Sequence, residues 1–273
     1  MYVWGACSAH FVKPSNLSLC VGQLEAGRAM ALDGYSNPCK RAWNPPKRLK
    51  LPTSMLSFSC GRNFVTGLDA QHRIWCFLSW GRPFVFNHPV FGATSPDTTV
   101  VQVESGWTFG AALTASGSVY VWNPAQGQMA TIWETKQAEL DQLRGENGAE
   151  DARALAQGSE IQCYTWTMEG VEPLELPELP ELPNLHESDA DATQSTSLVR
   201  IGAGDHFLIG LTSGGHVVRL NLHEINEPDG LPTLREQFRK NLRKWEYVSR
   251  TSKHLKSPLK YLNSYQRLAS LSM

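Results

Sequence analysis

Apolar and small residues alternate in three stretches that align with one another without a gap. The stretches are Cys60-Gly61-Arg62-Asn63-Phe64-Val65-Thr66-Gly67-Leu68, Ser105-Gly106-Trp107-Thr108-Phe109-Gly110-Ala111-Ala112-Leu113 and Ala203-Gly204-Asp205-His206-Phe207-Leu208-Ile209-Gly210-Leu211. Phe64, Phe109 and Phe207 fall four residues before Leu68, Leu113 and Leu211, an even spacing that puts each pair on one face of a strand. Gly67, Ala112 and Gly210 face the other way and are small, which suits close approach of a neighbouring strand. Short connections follow: Asp69-Ala70-Gln71-His72, Thr114-Ala115-Ser116-Gly117 and Thr212-Ser213-Gly214-Gly215. They predict hairpins built on a type I turn, with a left-handed residue at His72, Gly117 and Gly215. Ile74, Val119 and Val217 then open β-branched and aromatic strands. Three such copies predict an all-β repeat protein.

At these residues the chain resembles the regulator-of-chromosome-condensation repeat family, whose members are seven-bladed β-propellers. Leu113-Thr114, Gly117 and Val119-Tyr120-Val121-Trp122 carry the likeness in the second unit, His206 and Leu211-Thr212 in the third, Cys60-Gly61 and Leu68 in the first. Asn63 and Thr108 replace the family's histidine in two units. A narrower resemblance, to fungal F-box proteins of the SCF-associated factor type, rests on Ile74-Trp75-Cys76-Phe77-Leu78-Ser79-Trp80-Gly81-Arg82-Pro83-Phe84, Ser95-Pro96-Asp97, Cys163-Tyr164-Thr165-Trp166 and Trp245-Glu246-Tyr247. It implies a substrate-receptor subunit of a ubiquitin ligase, with ligase components and a substrate protein as partners.

Met1-Tyr2-Val3-Trp4-Gly5 is similar to the last strand of a unit, so the chain reads as opening inside a repeat. A seven-bladed ring takes about 350 residues at about 50 per repeat, and this chain offers about four units. The expectation is therefore a partial propeller, about four blades of seven, belonging to a longer protein. The alternative is a ring completed by partner chains. No F-box is seen ahead of the first repeat, so a ligase association is expected to need sequence beyond this chain.

The organisation read from the sequence is propeller repeats over 1–133, an acidic insertion over 134–197, a repeat and helix over 198–247 and a basic tail over 248–273. Prolines at 14, 38, 45, 46 and 52 mark loops in the first link. Between Glu134 and Asp191 there are 15 acidic and three basic residues, too polar a composition to add much core. Residues 134–157 read as helix, interrupted at Gly145 and Gly148. Residues 161–167 read as a returning strand. In the proline-rich segment 173–183, prolines at every third position from Pro177 favour a polyproline II strap with Leu176, Leu179 and Leu182 on one stripe, or a docking segment for an aromatic groove. The segments 134–160 and 184–197 are expected to be dispensable, and 186–197 to lack fixed structure. Leu234, Phe238, Leu242 and Trp245 recur at helical spacing, predicting an amphipathic helix over 232–247.

The net charge of −1 does not favour a polyanion binder, which argues against nucleic acid. No apolar run reaches the roughly 18 residues of a membrane span, and no secretory leader is read. The six cysteines make no Cys-x-x-Cys pair and no zinc pattern, so buried free thiols are expected, in the cytoplasm. Lys40-Arg41 with Lys47-Arg48-Leu49-Lys50 is a candidate nuclear address, and Asn16-Leu17-Ser18 a formal glycosylation site.

No phosphate loop or nucleophile elbow occurs, and Gly202-Ala203-Gly204 leads into a strand instead of a helix N-terminus. Asp205-His206 occupies a scaffold position of the repeat. No catalytic residue, cofactor or metal ligand is therefore assigned. The leading reading is a protein-interaction scaffold, with Trp80, Arg82, Phe84 and Trp107 as candidate partner anchors. The second is guanine-nucleotide exchange on a small GTPase.

Overall fold

The computed structural model describes residues 2–5, 44–62, 64–78, 82–147, 160–182 and 196–248. Trp80, Cys7, Cys20, Cys39, the Asn16 site, Lys40-Arg41, residues 184–195 and the basic tail from 249 lie outside them. The described strands form four sheets. The first joins β1 (Tyr2–Gly5), β2 (Asn44–Lys50) and β10 (Glu160–Gln162). The segment with Pro45 and Pro46, expected as a loop, is thus a strand. Its prolines fall where the pairing slips between Val3 opposite Lys47 and Gly5 opposite Asn44, so the ladder is interrupted where no amide is available.

Three meanders follow. Sheet I contains β3 (Met55–Cys60), β4 (Val65–Asp69), β5 (Ile74–Phe77) and β6 (Phe84–Phe86). Sheet II contains β7 (Val100–Ser105), β8 (Gly110–Thr114) and β9 (Val119–Trp122). Sheet III contains β13 (Leu198–Ala203), β14 (Phe207–Thr212) and β15 (Val217–Asn221). The predicted hairpins are all present. His72, Gly117 and Gly215 have φ of 61°, 97° and 80°, the left-handed residues the turns require. At the one non-glycine position, the Asp69 carboxylate braces the turn by accepting from the Gln71 and Arg73 amides at 2.9 and 2.8 Å. Burial alone would push the Asp69 carboxyl up. Bonds from the Trp75 indole and the Arg73 amide and guanidinium outweigh it and hold the group below its ordinary range.

The sheets pack face to face as propeller blades do. Phe64, Leu68 and Ile74 of sheet I meet Val103, Ala112 and Trp122 of sheet II in one buried cluster. Phe109, Leu113 and Val121 of sheet II meet Ile201, Leu208 and Val218 of sheet III in another. Their first strands lie side by side. The Ser105 hydroxyl donates to the Ser59 carbonyl at 2.9 Å, and the Gln102 amide donates to the Ile201 carbonyl at 2.7 Å. The result is an all-β partial propeller.

The segment between sheets II and III is more integrated than its composition predicts. Helix α1 (Gly127–Asn147) begins before residue 134 and runs through Gly145. Met129 is buried in the core between sheets I and II, and Gln137 is buried as well, so the start of the expected insertion is part of the domain. The returning strand is two short strands, because Cys163-Tyr164-Thr165 steps from one sheet to the next. β10 adds parallel to β2, and β11 (Trp166–Met168) adds parallel to β6. β12 (Leu174–Glu175) then pairs with β9 as the fourth strand of sheet II. The proline-rich run continues as a strap. Leu176, Leu179 and Leu182 pack on the core between sheets II and III, and the Trp245 indole donates to the Pro177 carbonyl at 2.9 Å.

A 3-10 turn (His223–Asn226) and helix α2 (Gly230–Arg239) precede β16 (Glu246–Tyr247), which completes sheet III. The helix predicted to reach 247 stops at Arg239. Asn241 takes φ of 54°, a left-handed ending, which leaves Leu242 73% exposed instead of on the apolar stripe. Cys76 and Cys163 are buried, whereas Cys60 is exposed. Among the described residues no helix is long and apolar enough to cross a membrane.

Candidate protein-docking face

One end of the three blades is built from a repeated glycine turn. The Gly61, Gly106 and Gly204 amides donate to the Phe64, Phe109 and Phe207 carbonyls at 3.0, 2.8 and 2.9 Å. In each turn a Cβ on the glycine would strike the ring of that phenylalanine, so the small residue lets the aromatic fold back under the turn. The turns are also joined from blade to blade. The Arg62 amide donates to the Trp107 carbonyl at 3.0 Å, and the Trp107 amide donates to the Gly204 carbonyl at 3.3 Å. Arg62, Trp107 and Asp205 therefore stand at one repeat position along a continuous row.

Side chains extend this row. The Arg62 guanidinium lies over the Trp107 ring, 5.3 Å from its centroid, a cation–π contact. The Thr108 hydroxyl donates to Asn226 Oδ1 at 2.6 Å, and Asn226 Nδ2 donates to Asp205 at 3.3 Å. The His206 and His223 rings meet edge to face at 5.1 Å, with His206 Nδ1 3.6 Å from the Asp205 carboxylate.

The same end carries the long connections. Phe77, Trp122 and Asn221, the last residues of the third strands, pair with Val65, Gly110 and Phe207 beside the turns. Leu78, the entry to α1 and the 3-10 turn with α2 all leave from there. The Asn123 side chain ties two of these, donating to the Ile225 carbonyl and to Gln126, each at 2.9 Å. Insertions gathered on one face of a repeat array are often where such arrays bind.

The sequence-predicted anchors divide in two. Trp107 is partly exposed and stands in the row. Phe84 is fully buried 5.0 Å from the Trp166 ring, and Arg82 is 6% exposed with its guanidinium donating to Gln137 at 2.9 Å. These two hold β11 and α1 in place and present no free surface. Trp80 is outside the described residues. Arg62 was missed, although its gapless alignment with Trp107 marks it as the equivalent position.

No family model and no curated protein matches the chain. Solved structures are similar in fold. Human WBSCR16 matches 69% of this chain and 39% of its own, at 14% identity and a TM-score of 0.37. Prp20p from Saccharomyces cerevisiae, whose structure is described with its binding to Gsp1p and histones, matches 71% of this chain and 37% of its own, at 15% identity and a TM-score of 0.34. The chain thus spans about two fifths of the length of these proteins. The superpositions are partial, and the blade assignment rests on the hydrogen bonds and packed cores within the chain itself.

Proposed function

We propose that this chain is a protein-interaction scaffold that receives a protein partner on its glycine-turn face. The observation that carries the reading is the hydrogen-bonded row that sets Arg62 against Trp107 across two blades and continues to Asp205 on a third. Aromatic and arginine side chains on a rigid, loop-rich face are the usual anchors of protein recognition. The finer reading is a substrate receptor of a ubiquitin ligase, whose substrate docks here. It is supported by the sequence resemblance to F-box repeat proteins. A second reading, nucleotide exchange on a small GTPase, would place the GTPase on the same face.

Affinity purification with quantitative mass spectrometry, comparing wild type with Arg62→Glu and Trp107→Ala, tests the scaffold. Loss of specifically captured proteins in both variants is expected, and identical recovery overturns the docking face. Two assays separate the finer readings. Co-purification with the ligase's F-box-binding adaptor would favour the ligase reading. Accelerated release of labelled GDP would favour the exchange reading.

A further inference from the structure

Sheet II ends in an open strand edge. Its outermost strand is β12, which pairs with β9 on one side only. The Leu176 amide donates to the Val119 carbonyl at 2.9 Å. Backbone groups of an antiparallel strand point alternately toward and away from the partner, so Leu174 and Leu176 turn theirs to β9 and Glu175 turns its N–H and C=O outward. Among the described residues neither Glu175 group has a backbone partner. Two residues on, the Pro177 carbonyl also points outward, and there the Trp245 indole donates to it at 2.9 Å. The edge is therefore closed at Pro177 and open at Glu175. It borders a groove of about 350 Å³ between β12 and α2. The floor is apolar, from Val90, Tyr120, Leu174 and Phe238. The walls are charged, with Glu175 on one side and Arg239 on the other, both exposed. An Arg235–Glu172 contact at 3.4 Å joins the walls at one point. No such ion pair closes on the Arg239 guanidinium among the described residues.

We propose that this groove binds a short extended peptide, added to β12 as a fifth strand of sheet II, with an apolar side chain in the floor and an acidic side chain against Arg239. An unpaired strand edge is a ready template for such addition. One peptide residue pairs with Glu175, donating its N–H to the Glu175 carbonyl and accepting from the Glu175 amide. Main-chain bonds of this kind give affinity, and the side-chain pocket gives selectivity. Prolines at 173 and 177 offer no further N–H, so the added strand is short and is held in one register. The acidic side chain follows from charge complementarity, because Arg239 is the arginine of the groove that lacks a carboxylate. The site lies on the outer rim of sheet II, separate from the glycine-turn face, and does not depend on that face.

Fluorescence anisotropy on the whole chain tests this with labelled hexapeptides Ser-Thr-Asp-X-Thr-Ser, X being Val, Leu or Phe, and with the same peptides carrying Lys in place of Asp. At least one Asp peptide is expected to bind with a Kd of about 100 μM or tighter, and its Lys counterpart at least tenfold more weakly. Methylation of the backbone nitrogen of X removes the N–H that the Glu175 carbonyl accepts, and is expected to weaken binding at least tenfold. Arg239→Glu is expected to reverse the preference for Asp over Lys, and Arg62→Glu to leave binding unchanged. Failure of every Asp peptide to bind below about 1 mM overturns the proposal. So does binding that survives the methylation, or a charge preference that Arg239→Glu leaves intact. Binding lost in Arg62→Glu would place the peptide on the docking face and overturn the groove as its site.

Discussion

The side chain of Gln102 grips the backbone of Ile201 from both sides. Its Nε2 donates to the Ile201 carbonyl at 2.7 Å, and its Oε1 accepts from the Ile201 amide at 3.0 Å. A β7 side chain thus stands in for a strand partner of β13 and locks sheet II to sheet III. Gln102→Leu keeps the bulk and leaves both backbone groups unpaired. The expected loss is about 3 kcal/mol, from the cost of unsatisfied buried polar groups, measured as a lowered midpoint of urea unfolding. Unchanged stability would mean that the two sheets are held by their apolar core alone.

Glu104 sits between sheets I and II, accepting from Ser59 of sheet I at 3.0 Å and from Gln102 of its own strand at 2.8 Å. Burial pushes its carboxyl above the ordinary range, although both hydrogen bonds oppose the shift. The folded chain therefore holds a proton at a pH where the unfolded chain has released it. The cost of the ionised group is fully present above the folded pKa and is relieved as pH falls through it. Glu104→Gln is expected to be more stable than wild type at pH 7, by a few degrees in Tm at about 2–4 °C per kcal/mol. That advantage should shrink on acidification, and a difference independent of pH would show that Glu104 acts by shape.

The blades were legible because their signals are local. Even spacing from Phe64 to Leu68, the turn chemistry at Gly117 and Gly215, and the tolerance of His72 for positive φ each lie within a few residues. What stayed hidden depends on segments far apart in sequence. Phe84 reads as a surface anchor until β11 and α1 are laid over it. Sheet II takes its fourth strand from residues 174–175, beyond a helix and two other strands, and two residues carry no pattern to announce it. The docking row was half legible: Trp107 stood out as an aromatic, while Arg62 is visible only through its place in the alignment.

The thiols should differ sharply in reactivity. Cys60 is exposed at the end of β3. Cys76 is fully buried in the core between sheets I and II, and burial pushes its pKa up to about 12. Thiolate is the reactive form, so Cys76 is expected to resist alkylation at pH 8 in the folded chain and to react on unfolding. Mass-spectrometric mapping after a short iodoacetamide pulse checks this. Equal labelling of Cys60 and Cys76 would show that the core opens readily.

Two glycines provide a matched test of the glycine-turn row. A Cβ at Gly106 would sit 2.6 Å from the Gly204 carbonyl oxygen and would strike the Phe109 ring. One obstacle is backbone of the next blade, the other a fully buried ring, so neither can yield cheaply. Gly202 lies in strand β13, and a Cβ there meets nothing within 4 Å. Gly106→Ala is expected to cost about 3 kcal/mol, the upper part of the overpacking range. It should also weaken partner capture, because the turn that carries Trp107 must move. Gly202→Ala should be neutral or stabilising by about 0.5 kcal/mol, since it reduces the freedom of the unfolded chain without strain. Paired urea melts of the two variants decide the matter. If Gly106→Ala is as stable as Gly202→Ala, the turns are not packed blade on blade, and the continuous docking row fails with them.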